Sequence, residues 1–540
     1  MKISTSALVF VFILFLSTQV AAGKKGGDVP NVIFIICDDL NDSVEGFGGH
    51  PQAITPNMDR LARKGVKFVN AQCNVPICGP SRASLWSGLY PHTTGNFGYK
   101  QQQNPWRKNP VMKETVTLFE HLTNEGYKVF ASGKIHHNGH EDWDIFKDLD
   151  GNTGFKVEPS MGPYPAGDKH EYPGRGNTHP DMPSGMKGVG WDSGFGAIRD
   201  ISAEYGGTGY WKYKFSWEDE YRYEGPDDRD LMPDERCADY AIELLQQKHD
   251  KPFMLAIGFN RPHSPRHVPE NYFDLYPLDE LQLTPMLKDD LEDCAPTFST
   301  KKDIGTEGYG FEKFSHVINN GGLENLKAWT QAYLACVTFV DDQLGRVLDA
   351  LDESAYADNT IVIFTSDHGY HMGEKSHLFK NSVWEESTRV PMVIAGPDIA
   401  VDAVCTAPVS LIDLYPTLVD YGQLDQEPNA RKNGKSLDGF TMRGLLENPS
   451  ANKWEGPPIA ITALSSNKPL EINEPGAPED QHYSIRSERY RYVLTRNGEE
   501  ELYDHLTDPN EWYNLASRPQ YAPVVQTLRK EFFQVINTTR

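Results

Sequence analysis

Two acidic clusters in this chain have the residue types and the setting for metal chemistry. Asp38-Asp39 follows the apolar run NVIFIIC, and Asp367-His368-Gly369 follows the apolar run TIVIFTS. Carboxylate oxygens gathered at one point suit a hard divalent cation, calcium or magnesium, and imidazole nitrogen can complete such a set. An isolated Asp at a strand end more often caps a helix or starts a turn. Two such ends on parallel strands shift the balance toward a metal site, because both would open on the same edge.

The surrounding elements bear on whether they do. Residues 31–37 form a continuous apolar run of strand length, as expected of a strand covered on both faces. Further core strands are predicted at 128–132, 253–259 and 360–366, and helices at 115–124, 233–248 and 324–352. Thr55-Pro56 reads as an N-cap followed by proline in the first helical turn, opening a helix to about Lys64. Strands alternating with helices predict an α/β fold with a large, mostly parallel central sheet sandwiched by helices. Ligands gather at the carboxyl ends of strands in such sheets. Residues 139–230 and 265–322 are rich in Gly, Pro and aromatics with little periodicity, and are expected to be long loops walling a cleft. After about residue 407 a second unit is expected, with a helix at 411–421, strands at 483–486 and 491–495, and a final helix at 522–536.

A third group lies between the acidic clusters. Cys78-Gly79-Pro80-Ser81-Arg82, followed by Leu85 and Gly88, resembles the signature of the formylglycine-dependent sulfatases, Cys-x-Pro-Ser-Arg with a trailing Leu and Gly. Taken alone, Cys before Pro and Ser also fits a buried thiol at an ordinary helix start. Other segments match the same family in the same order. Gly133-Lys134-Ile135-His136-His137-Asn138-Gly139 resembles the Gly-Lys-x-x-His-x-Gly form of the iduronate sulfatase branch and its bacterial relatives. The commoner family form places the histidine where His136 stands, but the flanking glycines favour His137. Asn260-Arg261-Pro262-His263, Asp367-His368-Gly369 with Gly373-Glu374 and Lys380, and Glu501-Leu502-Tyr503-Asp504 with Asp508-Pro509 also match. His368 stands where many sulfatases carry Asn.

The resemblance implies an alkaline-phosphatase-like fold with a catalytic domain over residues 29–405 and a smaller C-terminal α/β subdomain over 406–540. It implies one calcium ion held by Asp38, Asp39, residue 78, Asp367 and His368, and conversion of Cys78 to formylglycine (3-oxoalanine) by a formylglycine-generating or anaerobic sulfatase-maturating enzyme. Arg82, Lys134 and Lys380 would neutralise and orient sulfate oxygens, His263 would protonate the leaving oxygen, and His137 would act as a base. The expected reaction is hydrolysis of a sulfate ester on a sulfated polysaccharide or oligosaccharide, with aromatics of the 205–223 segment as candidate sugar contacts.

Composition bounds these readings. The 540 residues carry a formal net charge of -24, which argues against nucleic acid and anionic membranes as partners. Residues 1–22 read as a signal peptide, with Lys2, an apolar stretch at 7–16 and Val20-Ala21-Ala22 before the cut. That stretch is too short to span a bilayer, so export to the periplasm or medium without stable membrane insertion is expected. Seven cysteines are an odd number for an exported chain, leaving at least one for a separate task. Two rival functions are a phosphate or phosphonate ester hydrolase of the same superfamily, and a sulfated-glycan binding protein that never matures.

Overall fold

The computed structural model describes residues 29–103, 108–137, 162–165, 179–186, 194–202, 211–212, 220–305, 308–432, 434–451 and 453–539. The N-terminal segment 1–22, Asn138, Gly139 and most of the 139–230 region lie outside the described residues. The core is an eight-stranded sheet. Its strands are β1 (Asn31–Asp38), β2 (Gly65–Gln72), β3 (Lys128–Gly133), β4 (Phe253–Pro262), β5 (Thr360–Ser366), β6 (Arg389–Ala395), β7 (Ala403–Cys405) and β8 (Val409–Ser410). The order is β7-β2-β6-β5-β1-β4-β3, with β8 also on β2. β1 runs parallel to both β4 and β5, and β4 parallel to β3, so the two acidic strand ends do open on one edge. β6 alone runs antiparallel to both of its neighbours.

Alternation along β1 and β4 explains the two layers. Ile33, Ile35, Cys37, Leu255 and Ile257 face one core, with α1 (Pro56–Arg63), α4 (Pro233–Leu245) and the long α6 (Gly322–Asp352) packed on it. Val32, Phe34, Ile36, Met254 and Ala256 face the other, with α2 (Cys78–Ser87), α3 (Leu118–Asn124) and α7 (Leu414–Tyr421). Every residue of β1 is buried, as expected of a strand covered on both sides. A four-stranded antiparallel sheet follows, β9 (Ala460–Leu464), β10 (His482–Arg486), β11 (Tyr490–Leu494) and β12 (Glu500–Asp504). Helix α8 (Ala522–Thr539) packs on it through Val525, Leu528, Phe532 and Ile536.

Three expectations need correction. Thr55 does not cap α1. Its Oγ1 accepts from the Glu45 amide, and the helix start is capped by Asp341 of α6, whose carboxylate accepts from the Asn57 and Met58 amides at 2.9 and 2.7 Å. Residues 265–322 are not simply loop, for they contain the strand Arg266–Pro269 and helix α5 (Gly308–Asn319). Of the 205–223 aromatics that are described, Trp211 and Tyr221 are fully buried and belong to the core, which removes them as sugar contacts. All seven cysteines are buried free thiols. Among the described residues no helix is long and apolar enough to cross a membrane.

Candidate active site

Cys78 opens α2, with Pro80 in the first turn, where a missing N–H costs nothing, and Gly88 ending the helix at φ 68°. All ten residues of α2 are buried, so this helix is held by packing from every side. Ser81 Oγ donates to the Asp367 carbonyl at 2.5 Å, tying the helix to the end of β5. Trp86 Nε1 donates to the Ile135 carbonyl at 3.0 Å, tying it to the segment after β3. That segment leaves the sheet at Gly133, whose φ is 75° and where an added Cβ would lie 2.1 Å from the Gly258 carbonyl. Only glycine permits this turn, and it is what swings Lys134 into the centre.

Around Cys78 the predicted residues converge. Its Sγ lies 3.2 Å from Asp38 Oδ1, 3.2 Å from His368 Nε2 and 3.2 Å from Lys380 Nζ. Lys380 also pairs with Asp39 at 2.7 Å, and Lys134 pairs with Asp38. Arg82 Nε donates to Asp367 Oδ2 at 2.8 Å, while its other nitrogens donate to the carbonyls of Lys134, Ile135 and Cys37. His368 Nε2 lies 3.6 Å from Asp39 and 3.5 Å from Asp367. Its Nδ1 faces the Gly369 carbonyl at 3.0 Å, which sets that nitrogen as the donor and leaves Nε2 for a ligand. His263 Nε2 lies 4.0 Å from Asp39 Oδ2, and its Nδ1 faces the Ser264 carbonyl at 2.6 Å.

The two candidate histidines part company. His136 packs edge-on between Trp86 and Phe119, at ring centroid distances of 6.4 and 5.9 Å. His137 hydrogen-bonds with Cys78, and burial lowers its pKa against the raising effect of that bond. The structure thus brings His137, not His136, to residue 78.

Electrostatics match the packing. Burial and the Cys78 sulfur push the Asp38 carboxyl up, but Lys134, His263 and Lys380 outweigh them and bring it to about 2. Burial raises the Asp367 carboxyl to about 6 even against Arg82 and His368. Burial would raise the Cys78 thiol, yet Lys134, Lys380 and His368 carry it well below its ordinary value. The centre is therefore a strong trap for negative charge at position 78, reinforced by the positive end of the α2 dipole.

The donor set fits a hard cation. Asp38, Cys78, Asp367 and His368 offer ligand atoms within 4.8 Å of one another, as do Asp38, Asp39, Cys78 and His263. Asp39 Oδ2 is buried with no hydrogen-bond partner, an atom whose desolvation a metal ion would offset. Asp39 also adopts φ 67°, and its amide donates to Asp367 Oδ1 at 3.4 Å. Two positioning groups had no sequence signal. Asp234, at the start of α4, accepts from the Asn260 and Arg261 amides at 2.8 and 3.0 Å and so fixes the strand end leading to His263. Tyr333 of α6 donates to the Asp39 carbonyl at 2.7 Å.

The family model described as Sulfatase matches residues 30–424. The chain belongs to the sulfatase family. A second model, N-sulphoglucosamine sulphohydrolase, C-terminal, matches residues 373–538. A sulfatase of Formosa agariphila is 34% identical over 507 residues, covering 94% of this chain and 87% of the relative. Iduronate 2-sulfatase of Homo sapiens is 26% identical over 522 residues, covering 86% and 85%. Among solved structures, the phosphonate monoester hydrolase of Silicibacter pomeroyi superposes with a TM-score of 0.67 at 21% identity, covering 95% of this chain and 96% of that one. That last likeness establishes the alkaline-phosphatase-like fold alone. As a sulfatase, the protein is a sulfuric ester hydrolase, and the residues expected at its site from the sequence lie together at the carboxyl edge of its central sheet.

Proposed function

We propose that Cys78 is converted to formylglycine, that a calcium ion binds at Asp38, Asp39, Asp367 and His368 beside it, and that the exported protein removes sulfate from a sulfated polysaccharide or oligosaccharide in the periplasm or medium. The observation that carries this reading is the position of Cys78 Sγ, 3.2 Å from a carboxylate, an imidazole and an ammonium at once. The sulfur marks where an oxygen of the modified residue would lie. The similarity to iduronate 2-sulfatase supports a sulfated sugar as substrate.

When present, the cation draws electron density from a sulfate oxygen and the aldehyde hydrate supplies the attacking oxygen and a route to release sulfate. The chain does the rest. Lys134 and Lys380 neutralise and orient the sulfate oxygens that develop charge. Arg82 keeps Asp367 aimed at residue 78, where the carboxylate takes the proton of the attacking hydroxyl. His263, with Nδ1 held by the Ser264 carbonyl, presents Nε2 to protonate the departing sugar oxygen. His137, against residue 78 and kept neutral by burial, takes the proton of the second hydroxyl so that sulfate departs.

The test is mass spectrometry of the peptide containing Cys78, from a host with a maturating enzyme, beside sulfate release from a panel of sulfated glycans. The expected result is the mass loss of a thiol becoming an aldehyde, sulfate release that Cys78→Ala abolishes, and activity lost to a chelator and restored by calcium better than by magnesium. The rival reading is a phosphate or phosphonate ester hydrolase on the same fold. An unmodified thiol with phosphonate or phosphate ester turnover surviving Cys78→Ala would establish that rival instead.

A further inference from the structure

One large side chain stands beside the centre with an open face. Tyr99 begins the 3-10 turn Tyr99–Gln103 and is 42% exposed, whereas Cys78, Lys134, His263 and Lys380 are at most 4% exposed. Its ring meets the His137 ring edge-on, with centroids 5.1 Å apart and planes at 83°. Other aromatics are as exposed, among them Tyr513 at 51%, but Tyr99 is set apart by its contact with His137 beside residue 78, where an open ring suits the rim of a pocket for a partly apolar ligand.

The loop carrying Tyr99 is held from below. Gln101 Oε1 accepts from the Phe97 and Gly98 amides at 2.9 and 3.1 Å, and its Nε2 donates to the carbonyls of Gly95 and Glu474 at 2.8 and 2.7 Å. Pro475 and Leu470 press on Gly95 and Gly98 so closely that an added Cβ at either glycine would lie 2.4 Å from them. The Gly476 amide also donates to the Gly95 carbonyl at 2.7 Å. The segment before β10 therefore clamps a loop from the catalytic half and presents the ring already ordered. A preordered ring loses little entropy when a ligand settles on it.

We infer that Tyr99 is a specificity-determining residue, the platform on which the pyranose ring bearing the sulfate stacks while the sulfate itself lies against residue 78, Lys134 and Lys380. This rests on the sugar-sulfate reading above. Carbon-bound hydrogens on one face of a pyranose carry partial positive charge and suit the negative face of an aromatic ring. The phenol adds no charge, so the contact distinguishes a sugar sulfate from an acyclic alkyl sulfate and leaves the anion pocket untouched.

The test uses matured full-length protein and its Tyr99→Ala and Tyr99→Phe variants on disaccharides from lyase digests of heparin and chondroitin sulfate. Inhibition by inorganic sulfate serves as a separate measure of the anion pocket. For the disaccharide that is hydrolysed, Tyr99→Ala is expected to raise KM about tenfold with little change in kcat, while Tyr99→Phe stays near the parent. The sulfate inhibition constant should stay within about twofold for both variants. A lower kcat at unchanged KM would mean that Tyr99 only props His137, and would overturn the platform. So would an unchanged KM in Tyr99→Ala, or a sulfate constant weakened in step with KM. Formylglycine-bearing parent protein that cleaves simple alkyl sulfates but no disaccharide would sink the sugar-sulfate reading and the platform together, a failure already visible in the parent.

Discussion

Arg82 is fully buried, and its guanidinium donates to Asp367 and to three backbone carbonyls from two different strand ends. A planar fork of five donors can serve such a set, and an ammonium cannot. Arg82→Lys is expected to keep the charge, lose most of the carbonyl contacts and lower sulfate release at least about a hundredfold, since Asp367 loses its aim. Arg82→Ala leaves a buried carboxylate unpaired and should cost about 3–5 kcal/mol in thermal or denaturant unfolding. If Arg82→Lys released sulfate at the parent rate, the positioning role would be wrong. At this scale the sequence displays what motifs encode, since Asp38, Asp39, Cys78, Arg82, Lys134 and Asp367 sit in contiguous segments beside strand ends. Asp234 and Tyr333 act through backbone groups from helices far along the chain, and nothing in their local sequence marks them.

Helix α1 shows why element-level reading succeeds in outline and misses its supports. Thr55-Pro56 marks where the helix starts, but its cap comes from Asp341, distant in sequence. Asp341→Ala is expected to destabilise the protein by about 1–2 kcal/mol through loss of two capping bonds, read as a lower midpoint in urea with unchanged m-value. An unchanged midpoint would show that water replaces the carboxylate at no cost. The parallel strands β1, β4 and β5 are legible because burial on both faces makes them continuous apolar runs. β6 is not, because Pro391 sits inside it. A proline argues against a central strand, and here it stands at the register shift between Val390 and Met392, where a ladder bond to β2 is already missing. β2 mixes Lys67, Asn70 and Gln72 with its apolar residues and so reads as neither period cleanly.

Over the whole molecule, the two sheets are joined by buried charge as well as apolar packing. Arg491 of β11 pairs with Glu511 at 2.5 Å and with Glu385, which precedes β6. At other buried carboxyls the cost of burial wins, at Asp438 even against the charge of Lys435. Burial raises Asp413 to about 7 against hydrogen bonds from the Ser410 and Phe440 amides, and raises Asp438 to about 7 against bonds from Thr93 and Tyr90. Asp341 is raised to about 6 by burial against its bonds to Asn57 and Met58. A carboxyl with a higher pKa folded than unfolded binds more protons in the native state over the interval between the two values. Its contribution is complete below about pH 4 and is lost as pH rises through the folded value. Stability should therefore fall between about pH 4 and pH 7, each such group adding up to about 1.4 kcal/mol per pH unit within its own interval. Asp438→Asn keeps an acceptor for the Tyr90 amide but cannot ionise, so its melting temperature should fall less steeply over that range than the parent's. Parallel melting curves for the two proteins would mean that Asp438 titrates alike in the folded and unfolded chain, and that the pH dependence of the fold arises at Asp413 and Asp341 instead.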